Sequence, residues 1–129
     1  MITEDYVSFE TAKLLKEKGF ESDYCHTAYD SNGEFFWYGD YSKDRKGIID
    51  APTIQMAMKW LRETNSLNVY ARVVWKSQYG TRKESVVGYD WFIENLLSND
   101  FLRTNTKEPF HTYEEACEAG IKYCLENLI

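Results

Sequence analysis

The feature that most constrains the fold is a pair of alternating segments in the second half of the chain. Residues 67–78, LNVYARVVWKSQ, place four side chains on one side of an extended strand: Val69, Ala71, Val73 and Trp75. The opposite side carries Tyr70, Arg72, Val74 and Lys76. After a turn around Tyr79-Gly80, residues 82–96 alternate again, and Gly88 is placed where a bulge is expected. The pattern predicts a long β-hairpin.

An earlier hairpin is predicted in residues 24–41, YCHTAYDSNGEFFWYGDY. Asn32-Gly33 favours a two-residue type I′ turn, because both central residues of that turn need positive φ. This turn sets Tyr29 opposite Phe36 and Ala28 opposite Trp37. Both faces of the hairpin are then aromatic, although a sheet covered by helices on one side needs only one apolar face.

Three helices are expected, each with a hydroxyl N-cap, at Ser8, Thr53 and Thr112. Gly19 supplies the left-handed position that ends the first helix, and Glu115 completes a capping box in the last. The stripe expected to be buried on the last helix consists of Tyr113, Ala116, Cys117, Ile121, Cys124 and Leu128. Residues 97–110 are predicted to be a polar connection.

These elements predict a single α+β domain over residues 1–129, in the order α-β-β-α-β-β-α, with both hairpins in one antiparallel sheet and the helices packed against it. A weak echo links SFETA at residue 8, TIQMA at residue 53 and TYEEA at residue 112. Any capped amphipathic helix can look like this. The alternative is a duplicated α-β-β unit, residues 6–50 and 52–96, closed by a helix over 112–127.

Composition indicates the compartment. The first residues, MITEDYVSFE, are acidic where a signal peptide would be basic, and no segment is long and apolar enough to cross a membrane. Three cysteines provide no disulfide framework. The expectation is a cytoplasmic protein.

Enzyme and metal signatures are missing from the sequence. Cys25 and His26 are neighbours, and neighbouring strand residues point to opposite faces, so they do not form a nucleophile-base pair. Two histidines and no C-x-x-C leave no zinc ligand set, and the glycine-rich nucleotide and hydrolase motifs are absent. We expect no catalytic residue, no cofactor and no metal.

A basic patch around the second hairpin supports an alternative function in nucleic-acid binding, through Tyr70, Arg72, Lys76, Arg82 and Lys83. From residue 53 onward the helix-strand-strand-helix order is similar to that of a double-stranded-RNA-binding domain. The last helix of that domain begins with lysines, whereas TYEEACEAG is acidic. A net charge of −6 also argues against a nucleic-acid partner, and basic residues on an edge strand commonly serve to prevent aggregation.

The three helical segments carry a resemblance. EDYVSFETAKLLKEKGF, PTIQMAMKWLRE and TYEEACEAGIKYCLENLI resemble a family of short uncharacterised proteins of gut anaerobic bacteria and their phages or mobile elements. The likeness covers most of the chain and is loose in the hairpins. It implies a phage or mobile-element setting and carries no activity, ligand or catalytic residue.

The function expected first is a non-catalytic protein-interaction module that binds a host or phage protein, or itself as a homodimer. The expected surface lies on the first hairpin and comprises Tyr24, Ala28, Phe35, Trp37 and Tyr41. Internal packing that covers both faces of this hairpin is the alternative. A small-ligand domain, or an enzyme without a linear motif, is a third reading.

Overall fold

The computed structural model describes residues 3–21, 25–37, 47–77, 84–104 and 108–129. Its elements are α1 Phe9–Glu17, β1 Thr27–Tyr29, β2 Phe35–Trp37, β3 Ile49–Asp50, α2 Ile54–Asn65, β4 Leu67–Ser77, β5 Glu84–Asn95, β6 Phe101–Arg103 and α3 Tyr113–Tyr123. Helix α3 continues as a π-helical turn, Cys124–Leu128. Among these ranges, no helix has both the length and the apolar character needed to cross a bilayer.

The strands form two antiparallel sheets, ordered β2-β1-β3 and β4-β5-β6. The predicted α+β class and the antiparallel pairing are confirmed. The two hairpins, however, lie in separate sheets and not in one.

Each hairpin is completed by its own third strand, because β3 pairs with the free side of β1 and β6 pairs with the free side of β5. Strand β6 falls inside the segment predicted to be a polar connection, and that prediction is wrong for residues 101–103.

All three predicted helix starts are confirmed. The hydroxyl oxygens of the caps accept hydrogen bonds from backbone N–H groups three residues on, Thr11 N to Ser8 Oγ at 3.3 Å, Met56 N to Thr53 Oγ1 at 3.1 Å and Glu115 N to Thr112 Oγ1 at 3.1 Å. Each bond satisfies a donor that would otherwise be unpaired at the end of the helix. Gly19, with φ of +93°, ends α1 as expected.

The core lies between the three helices and one face of the second sheet, which we call the inner face. Its largest fully buried side chains are contributed by every layer and include Leu15, Leu61, Val69, Ile93 and Ile121. Helix α3 lies very close to the sheet at Gly120, because a Cβ built there would be 2.8 Å from Val69 Cγ1. The part of the inner face around Val69 and Ile93 is therefore used by packing, whereas Val73 on the same face is exposed. The outer face is left for other roles.

The end of α3 differs from the prediction. Leu128 is predicted to be buried but is exposed, and Leu125 is buried in its place. The last turn is wound as a π-helix, which has more residues per turn than an α-helix and so rotates the buried face. Cys117 and Cys124 are buried as predicted, and burial raises the pKa of these thiols to about 11 and about 12. Both remain protonated and act as small core side chains.

The predicted bulge in β5 is confirmed. Val74 pairs with Gly88 but Trp75 pairs with Val86, which leaves Val87 unpaired. Beside the bulge, the segment before α3 runs antiparallel to the strand, with Tyr89 N donating to Phe110 O and Phe110 N donating to Tyr89 O, both at 2.8 Å. Gly88 allows this close approach.

The duplicated α-β-β unit stays a prediction. Both halves have a helix, a hairpin and a third strand in the same order. The third strands pair differently, however. Strand β3 pairs with β1, the first strand of its hairpin, whereas β6 pairs with β5, the second strand of its hairpin.

Candidate interaction surface

The turn of the first hairpin has three residues and not the two that were expected. Asp30 Oδ1 accepts hydrogen bonds from Asn32 N at 2.8 Å and Glu34 N at 3.0 Å, and Gly33 N donates to Asp30 O at 3.0 Å. Gly33 has φ of +82°, while Asn32 does not have positive φ. A type I turn followed by a left-handed glycine gives this loop, and the Asp30 carboxylate stabilises it.

The extra turn residue shifts the pairing of β1 and β2 by one position. Tyr29 pairs with Phe35, and Ala28 pairs with Phe36 rather than with Trp37. The predicted register is therefore wrong. Because successive strand residues alternate between faces, Ala28 lies on the face opposite to Phe35 and Trp37, and it is fully buried. Tyr24 and Tyr41, the other two residues of the predicted surface, lie outside the described residues.

Phe35 and Trp37 share a face but have different environments. The Phe35 ring is 4.9 Å from the ring of Tyr6 and 5.6 Å from that of Tyr29, which anchors it to the region beside α1. Trp37 is 67% exposed. It borders a small cleft of about 100 Å³ that is also lined by Tyr6, Cys25, His26, Thr27, Pro52, Thr53 and Met56. Trp37 is thus a surface side chain.

We predict that Trp37→Ala changes the free energy of unfolding by less than about 1 kcal/mol, since a largely exposed side chain buries little area on folding. Urea denaturation measures this. Sedimentation velocity of the same variant tests self-association through Trp37, with Trp75→Ala, another exposed tryptophan, as the matched control. A loss of more than about 2 kcal/mol would show that Trp37 belongs to the core.

A second aromatic surface lies on the outer face of the second sheet, opposite α3. Tyr70 pairs with Phe92 across β4 and β5, and Phe101 pairs with Glu94 across β5 and β6, so these side chains share one face. The rings of Tyr70 and Phe92 are stacked with centroids 5.5 Å apart, and those of Phe92 and Phe101 are stacked at 6.1 Å. We call these three residues the aromatic platform. Phe92 is buried at its centre, while Phe101 is 64% exposed.

Two arginines flank the platform. The guanidinium carbon of Arg72 is 4.6 Å from the centroid of the Phe92 ring, a cation-π distance, and Arg103 pairs with Phe92 across β5 and β6. Within the described ranges, neither arginine is within ion-pair distance of a carboxylate. Their N–H groups are therefore available to a ligand.

Two acids also lie on this face. Glu94 Oε1 accepts a hydrogen bond from Asn68 Nδ2 at 3.4 Å, and burial together with the Glu94 carboxylate raises the pKa of Tyr70. Asp90 pairs with Arg72 across the strands, and its Oδ1 atom is buried without a hydrogen-bond partner. The face is consequently mixed in charge and not uniformly basic.

The turn between β5 and β6 presents leucines beside the platform. Asn95 Oδ1 accepts hydrogen bonds from Leu97 N at 3.0 Å and Ser98 N at 3.3 Å, and Asn99 takes a left-handed conformation with φ of +62°. Leu97 is 85% exposed, and Leu96 is exposed as well. We call Leu96 and Leu97 the apolar tip. The hydrogen-bonded turn holds these leucines in place outside the core.

The aromatic platform and the two arginines, together with Glu94 and Asn99, line an open groove of about 360 Å³. Of the predicted nucleic-acid patch, Tyr70 and Arg72 lie here. The side chain of Lys76, and the whole of Arg82 and Lys83, lie outside the described part. Sequence reasoning missed Phe101, Arg103 and the apolar tip, although LSNDFLR contains a turn-forming Asn-Asp between apolar residues.

Cys25 and His26, neighbours in the sequence, have different environments. Cys25 Sγ donates to Thr27 O at 3.2 Å, and burial raises the pKa of this thiol, while His26 is exposed. In the ranges that the structure describes, no group of three or more His, Cys, Asp or Glu residues is arranged to hold a metal ion.

Relatives of known function would be the most direct guide to the ligand of this groove. Comparisons with protein-family models, with curated proteins and with solved structures found no match to this chain. The resemblance to short proteins of gut anaerobes and their phages therefore stays a prediction.

Proposed function

We propose that the protein is a non-catalytic, cytoplasmic interaction module that binds another protein through the outer face of its second sheet. The observation that carries this proposal is the exposure of Phe101 and Leu97, 64% and 85%, within a hydrogen-bonded frame. Such side chains contribute little to folding while they are exposed. Each contributes up to about 1.5–3 kcal/mol when it is buried by a partner.

The composition of the surface is typical of a protein interface. The rings of the aromatic platform line the groove together with polar groups of Arg72, Arg103 and Asn99, and the apolar tip lies in the turn that follows β5. Aromatic residues and arginine are also the residue types most enriched among interface hot spots. The aromatic platform lies on strands held by the core, and the apolar tip lies in the hydrogen-bonded turn that joins two of these strands.

Nucleic-acid binding is the second candidate function, favoured by the stacked rings beside Arg72 and Arg103. Three observations weigh against it. Glu94 and Asp90 lie on the same face, the chain has a net charge of −6, and leucines offer no flat surface on which a base can stack. A protein partner is consistent with all three observations.

The setting is part of the proposal. We propose that the protein acts in a phage or mobile element of a gut bacterium, on a host or phage protein. This rests on the resemblance of the three helical segments alone. The genes adjacent to the coding sequence test it, since phage structural or mobility genes are expected there.

Site-specific photo-crosslinking tests the binding surface. A benzophenone amino acid in place of Phe101 is expected to form an adduct with a discrete protein in lysate of the source cell, and the same group in place of Lys59, exposed on α2, is not. Leu97→Ser in the same chain should reduce the adduct at position 101, because it removes apolar contact area. Loss of the adduct after nuclease treatment, or equal adducts at positions 101 and 59, would contradict the proposal.

A further inference from the structure

We propose that the partner segment is both acidic and apolar: a short stretch that carries an aspartate or glutamate beside a leucine or an aromatic residue. This deepens the proposed function and rests on it. The apolar side chain would cover Phe101 and the apolar tip, and the carboxylate would bind Arg72 and Arg103.

The two arginines give the first argument. The chain has 21 acidic and 15 basic residues, so acids are in excess, yet Arg72 and Arg103 have no ion-pair partner within the described ranges. The guanidinium carbon of Arg72 lies 4.6 Å from the centroid of the Phe92 ring, a cation-π contact. The N–H groups lie in the guanidinium plane and remain free to donate to both oxygens of a carboxylate.

The positions of the acids on this face give the second argument. Glu94 already accepts a hydrogen bond from Asn68 and lies across from Phe101, at the end of the groove nearest the apolar tip. The Oδ1 atom of Asp90 is buried, beside a smaller groove that Arg72 and Arg103 also line. The arginine end therefore carries two guanidinium groups for one carboxylate, that of Asp90, and favours a partner carboxylate, while Phe101 and the apolar tip at the other end accept apolar groups.

The spacing of the strand residues defines the partner further. Phe101 and Arg103 are two residues apart in β6 and point to the same face, which separates them by about 7 Å along the strand. The apolar and acidic side chains of the partner need a similar separation. Positions i and i+2 of an extended segment, or i and i+4 of a helix, provide it.

Selection of peptides tests this inference. Phage-displayed random peptides of about twelve residues, selected on the folded protein, are expected to be enriched in Asp or Glu two to four residues from Leu, Phe or Trp. For a synthetic peptide of an enriched sequence, Arg72→Glu with Arg103→Glu should weaken binding at least about tenfold, and added salt should weaken binding to the wild type. The matched control, Lys59→Glu with Arg62→Glu, makes the same change in net charge on the exposed face of α2 and should leave the affinity unchanged.

The outcomes separate this inference from the proposed function. Enriched peptides without acids, or an affinity that is insensitive to the arginine reversal, would overturn the inference while an adduct at position 101 still supported the function. The inference would also be overturned, in favour of nucleic acid, by a different pair of results. These are that no peptide is enriched, and that the wild type binds a fifteen-nucleotide oligothymidylate that the arginine variant does not bind. Self-association lost in the same variant would identify a second copy as the occupant. If the glutamate variant melts early by circular dichroism, Arg72→Gln with Arg103→Gln replaces it.

Discussion

Gly88→Ala is expected to lower the free energy of unfolding by about 3 kcal/mol or more, which corresponds to a fall in Tm of about 10 °C. A Cβ at this position would be 2.5 Å from Phe110 O and 2.7 Å from Pro109 Cβ. The first of these atoms belongs to the backbone and cannot move aside as a flexible side chain would. Either the strand bends, or the segment before α3 lifts and the two hydrogen bonds between Tyr89 and Phe110 weaken.

Gly19→Ala is the matched control for this substitution. Gly88 and Gly19 both have positive φ, +156° and +93°, but nothing lies within 4 Å of a Cβ built at Gly19. The control therefore carries the backbone cost without the collision, and we expect it to lose only about 1 kcal/mol. Urea denaturation of both variants gives the comparison. Equal losses would show that the segment before α3 does not press against Gly88.

The sequence predicts best those features that depend on neighbours along the chain. The caps at Ser8, Thr53 and Thr112 are confirmed because each hydroxyl bonds a backbone group three residues away. The long hairpin is confirmed for a similar reason, since its alternation is a local pattern with one buried side. Predictions from such local patterns depend little on how the rest of the chain folds.

The first hairpin shows where a local signal fails. Asn32-Gly33 favours a two-residue turn, but the Asp30 carboxylate offers two hydrogen bonds to a longer loop, and the longer loop is formed. One extra residue moves every pairing by one position. Ala28, expected beside Trp37, consequently lies on the opposite face and in the core.

The candidate site was largely beyond sequence reasoning because it depends on pairing between strands. The alternation of β4 alone identifies Tyr70 and Arg72. Phe92 and Phe101 join them through the register of β4, β5 and β6, and β6 has three residues, too few to show a period. Exposed leucines in a turn carry no distinctive sequence signal, since turns are identified by Asn, Asp and Gly.

Gly120→Ala is expected to destabilise the protein by about 2 kcal/mol, although alanine is the better helix former by about 1 kcal/mol. Whether the substitution raises or lowers the free energy of unfolding is decided by the contact between α3 and the sheet. A Cβ at position 120 would be 2.8 Å from Val69 Cγ1 and 3.1 Å from Trp91 Cβ, so α3 must move away from the inner face or these side chains must shift. Overpacking of this kind costs about 1–3 kcal/mol. Because the contact is close, we expect a cost near the upper end, of which the helical gain offsets about 1 kcal/mol.

A double-mutant cycle with Val69→Ala tests the contact itself. Val69 is buried, and Val69→Ala alone should cost about 2 kcal/mol through lost apolar burial and a small cavity. In the double variant the new methyl group at position 120 occupies part of the space left by Val69, so the combined loss should fall at least about 1 kcal/mol below the sum of the two single losses. Pairing Gly120→Ala with Thr53→Ala, a cap on α2 that shares no partner with Gly120, should instead be additive. Additivity in the Val69 cycle would mean that α3 does not rest against the inner face at Gly120, and that the sheet carrying the aromatic platform is held by other contacts.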